Sequence, residues 1–86
     1  MISPWHDRAR SLLEDWERCR YAKPRGDVVD LQIDKDQLQR WAGNLRYNLL
    51  WSQDLGEMAE SCHQFEHRLH NYKEKIIIEI LTHGTI

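Results

Sequence analysis

Eighty-six residues, 41% hydrophobic and 30% charged, suffice for one small globular domain and are too apolar for a disordered chain. A domain of this size buries a modest share of its surface and gains from a staple, whether a disulfide, a metal or a partner chain. From a net charge of -2 neither a strong nucleic-acid footprint nor a wholesale acidic mimic follows.

That charge is uneven. Residues 1–25 hold six basic and four acidic side chains, residues 26–60 hold three and seven, and residues 61–86 hold three and three. The two cysteines, Cys19 and Cys62, are fewer than a disulfide-stapled secreted domain uses. The first residues turn polar at once, unlike a signal peptide. The longest apolar run, Ile76-Ile77-Ile78, falls far short of the roughly 20 residues a membrane span needs. The expectation is a cytoplasmic protein with reduced thiols and no membrane segment.

Ser3-Pro4 begins a helix, with serine as N-cap and proline at the first helical position, and Asp7 favours the dipole in the first turn. Trp5, Ala9, Leu12, Trp16 and Cys19 recur at helical spacing, which predicts a helix over 4–22 that Pro24 and Gly26 end. Val29, Leu31 and Ile33 then alternate with polar residues, the period of an extended segment over 27–33. Leu38, Trp41, Ala42, Leu45 and Leu49 predict a second helix over 35–51, with Gly43 off its apolar face. Ser52-Gln53-Asp54 either caps a new helix or is passed through.

The strongest pattern follows. Leu55, Met58, Cys62, Phe65, Leu69, Tyr72 and Ile76 step alternately by three and four, a seam of coiled-coil type in a long helix over 54–82. The run Ile76–Leu81 is apolar on all sides, as a buried strand is, but the seam phase continues through Ile76 and Ile80 and favours helix. The fold class is therefore mostly α: a small antiparallel helical bundle with a long C-terminal helix and a short extended segment near residues 27–33, one domain over 1–86. By helical rise, the long helix exceeds the first by roughly 17 Å, so part of its seam calls for cover from a second copy of the chain, a homodimer.

Trp5, Trp16 and Trp41 lie on the apolar stripes and belong to the core, whereas Tyr47, Leu50 and Trp51 project from other sides and are the candidate partner surface. Arg18, Arg20, Lys23 and Arg25 cluster at the end of the first helix, where they complement its dipole or, alternatively, contact a nucleic-acid backbone. His63, His67 and His70 share one face of the long helix; that face is solvated or, as a weaker alternative, holds a metal. No nucleophile elbow, phosphate loop or metalloprotease motif is present, and no cofactor is implied. The chain reads as a non-enzymatic protein-binding module, an adaptor, inhibitor or regulator acting through helix faces. A small nucleic-acid-binding regulator and a metal-binding protein are the two alternatives.

Overall fold

The structure, a computed structural model, describes residues 3–20 and 29–83, with side chains for residues 3–20 and 31–78. They form three helices packed together, α1 (Pro4–Cys19), α2 (Val29–Trp51) and α3 (Leu55–His83), and no strand. The described residues make a rod of 50 × 19 × 17 Å.

The ends of the helices are set by local chemistry. Ser3 caps α1, its Oγ accepting the His6 amide at 3.2 Å, with Pro4 at the first helical position. Asp54 caps α3 by accepting the amides of Gly56 at 2.9 Å and Glu57 at 3.2 Å. The three residues Ser52–Asp54 thus separate two helices, and Ile76–Leu81 continues α3 without becoming a strand.

The extended segment needs correction. Val29–Ile33 is the first turn and a half of α2, while residues 27 and 28 lie outside the described residues. Helix wins because Leu31 stands one heptad before Leu38 and continues the stripe of Leu38, Ala42 and Leu45 into the core, all four being buried. The alternation of Val29, Leu31 and Ile33 expresses a preference of only about 1 kcal/mol, which tertiary burial overrides. Ile33, at the other phase, stays 49% exposed.

Helix direction follows from the cross-contacts. Trp5 meets His63, Arg8 meets Glu66, and Asp15 meets Lys73, so α1 runs parallel to α3. Asp34 meets Lys75, Trp41 lies under Arg68, and Asn48 meets Ser61, so α2 runs antiparallel to both. The bundle is up-down-up. Along α2 these contacts advance by seven residues and along α3 they retreat by seven, the register of coiled-coil-like packing.

The seam is sheltered within one chain. Met58, Cys62, Phe65, Leu69, Tyr72 and Ile76 are buried against Leu12, Trp16, Leu38 and Leu45. At roughly 1.5–3 kcal/mol for each large apolar side chain, this face is the main source of stability. Leu55 is the exception: as the first residue of α3 it projects past the ends of both neighbours and stays 51% exposed. The expectation of a homodimer rested on the long helix outrunning the first by roughly 17 Å. α2 begins at Val29, six residues before the expected residue 35, and with its packing the seam from Met58 to Ile76 is buried within one chain.

Candidate functional site

With the seam covered, the exposed large apolar side chains among the described residues fall at two places: Ile33, Ile77 and Ile78 toward the far end of the rod, and a group of four at the tip where α2 passes into α3. Tyr47, Leu50 and Trp51 are 65%, 72% and 70% exposed, and Leu55 follows across the turn. The helix explains this. At 100° per residue, Tyr47, Leu50 and Trp51 share one face, roughly opposite the buried stripe of Leu38, Ala42 and Leu45. Tyr47 also borders a groove of about 200 Å³ between α2 and α3, with Trp41, Asn44, Asn48 and Ser61 around it. Asn48 donates to Ser61 Oγ at 2.7 Å and closes the groove floor. On α3, Glu57 and Glu60 fall on the same strip as Ser61 and form an acidic edge beside the aromatic face.

The remaining tryptophans behave as their stripes predict. Trp16 is fully buried, its indole donating to Gln39 Oε1 at 3.1 Å, and its ring meets Tyr72 edge-on at 5.9 Å. Trp5 and Trp41 are half-buried against the core, Trp41 beneath the Arg68 guanidinium at 4.3 Å. Sequence reasoning missed both the Arg68 contact and the Asn48–Ser61 bond. Their signal was the seven-residue spacing shared by the two helices, which a seam read on one helix alone does not reveal.

The histidine stripe lines the opposite groove, a shallow channel of about 900 Å³ between α1 and α3 that also holds Arg8, Asp15, Arg18, Glu66 and Lys73. His63 stands edge-on to Trp5 at 5.1 Å, His67 is 3.4 Å from the Asn71 amide nitrogen, and His70 is 3.1 Å from Glu74. All three are exposed, each with a separate neighbour, and among the described residues no three His, Cys, Asp or Glu side chains converge as a metal requires. Among the described residues, one helical face presents the imidazoles in a row without gathering them on a single point.

The basic cluster divides. Arg18 lines the same channel, and Arg20 pairs with Glu17 at 3.2 Å. Glu17 also holds Arg46 of α2 at 2.8 Å, so it ties α1 to α2. Lys23 and Arg25 lie outside the described residues.

Both cysteines are free thiols, Cys19 half-buried and Cys62 buried, with Cys62 Sγ 3.5 Å from the Trp5 carbonyl. Burial pushes both thiols up and does the same to the Tyr72 phenol. A reactive thiolate needs the opposite shift, so these are packing groups. Among the described residues no helix is long and apolar enough to cross a membrane. In comparisons with known proteins, no family model, curated protein or solved structure matches the chain.

Proposed function

We infer that the chain is a non-enzymatic protein-binding module, an adaptor, inhibitor or regulator that works through the exposed face at the α2–α3 tip. The observation that carries this reading is the placement of Tyr47, Leu50 and Trp51. They form an aromatic and aliphatic cluster turned away from a core that is already complete. Large apolar groups cost free energy when left in water, and interface anchors are drawn from these residue types. The partner is a different protein, since the seam asks for no second copy, and the two free thiols suit the cytoplasm.

The test is photo-crosslinking from a probe at position 47 in the cell of origin, on the wild-type chain and on a Leu50→Ala/Trp51→Ala variant. Both side chains are exposed, so the variant keeps its helicity and its stability to within about 0.5 kcal/mol. A defined partner crosslinked by the wild type and lost from the variant is the expected result. Equal recovery from both, or no crosslinked protein at all, refutes the reading.

A further inference from the structure

We propose that the tip docks a basic amphipathic helix of its partner, with apolar side chains on Tyr47, Leu50 and Trp51 and Lys or Arg side chains facing Glu57 and Glu60. This rests on the protein-binding reading above and adds the chemistry of the partner. From residue 47 to residue 67 the chain carries four carboxylates, Asp54, Glu57, Glu60 and Glu66, and neither Lys nor Arg. Two of the four are occupied: Asp54 caps α3, and Glu66 is held by Arg8.

Glu57 and Glu60 are different. Their partners are neutral, the Ser52 hydroxyl at 3.4 Å and the Gln64 amide at 3.2 Å. The cations that flank this stretch in sequence are engaged elsewhere, Arg46 with Glu17 and Arg68 over Trp41. Arg40, on the same face of α2 as Tyr47, stands seven residues away, about 10 Å along the axis, and marks the far edge of the site. An apolar face bordered by two carboxylates without a countercharge complements a segment with Lys or Arg beside its apolar side chains. It repels acidic segments, nucleic acid and anionic membranes. The spacing of Tyr47, Leu50 and Trp51 is that of one helix face, and it matches a partner helix that presents its own apolar residues every three to four positions.

The full-length chain is titrated against a fluorescent amphipathic helical peptide of Leu and Lys, and against the same peptide with Glu in place of Lys, by anisotropy. The Lys peptide binds and the Glu peptide does not. Glu57→Gln/Glu60→Gln weakens binding of the Lys peptide about fivefold or more. Glu14→Gln/Glu74→Gln, which removes the same charge at the other end of the rod, changes it by less than about twofold. Equal weakening by the two charge variants, or equal binding of the two peptides, overturns the proposal. The crosslinking experiment separates the two levels. A partner lost with Leu50→Ala/Trp51→Ala but fully retained with Glu57→Gln/Glu60→Gln leaves the protein-binding reading standing and removes the basic helix. A partner retained by the alanine variant removes both.

Discussion

Asp54 decides where the second helix stops and the third begins. Its carboxylate takes two amides that α3 leaves without helical partners, at the end where negative charge is favoured. Asp54→Ala should cost about 0.5–2 kcal/mol in urea unfolding, and Asp54→Asn should recover most of it. The cap at Ser3 was legible from sequence because proline follows it, whereas Asp54 competed with a possible continuous helix. Leu55 fitted the seam phase but not the core, since phase says which way a side chain points and not whether a neighbour reaches it. Two buried groups give the molecule an alkaline limit. The Cys62 thiol and the Tyr72 phenol are raised above their ordinary 9.0 and 10.0 by burial, so the fold holds both in the neutral form. In the unfolded chain they ionise first. Their contribution is intact below those ordinary values and fades as pH climbs through the raised folded ones. The melting temperature should therefore decline above pH 9.0, and Cys62→Ala should soften the decline. A melting temperature flat through this range contradicts the assignment.

Register is the property of paired elements. Arg8–Glu66 and Asp15–Lys73 lie seven residues apart on both α1 and α3, with the charges exchanged between the helices. A slide by one heptad would set Arg8 against Lys73 or Asp15 against Glu66, so the pairs select one alignment over its nearest competitor. Asp15→Lys should cost about 0.5–1 kcal/mol, and Asp15→Lys/Lys73→Asp should return most of it, a coupling that a double-mutant cycle measures. Within α2, Gly43 is exposed and a methyl group there meets nothing within 4 Å. Gly43→Ala should stabilise the chain by about 0.5–1 kcal/mol, seen as a higher urea midpoint with an unchanged slope. The type and order of the helices followed from sequence, whereas the break at Ser52–Asp54 was left open, the first helix ends at Cys19 and not at residue 22, and the start of α2 was read as extended. There the alternation of Val29, Leu31 and Ile33 concealed that Leu31 continues the buried stripe of Leu38, Ala42 and Leu45.

At the scale of the whole molecule, the length of α2 bears on what the bundle needs from outside. The overhang of the long helix beyond the first asked for cover from outside. Starting at Val29, α2 supplies that cover itself. What stays exposed among the described residues is an apolar face at the tip, bordered by Glu57 and Glu60, and, toward the other end of the rod, Ile33, Ile77 and Ile78. Tyr47, Leu50 and Trp51 were legible as a separate surface because they fall off the stripe. The acidic edge was not, because it belongs to the start of the next helix and joins the face only when the chain turns back. Everything functional proposed for the tip depends on α3 being sheltered by its own chain. Amide hydrogen exchange along Met58–Ile76, followed from dilute to concentrated protein, tests this most directly. Slow exchange that does not change with concentration is the predicted result. Protection that appears only as the protein is concentrated would mean that another copy covers the seam, and would contradict the account.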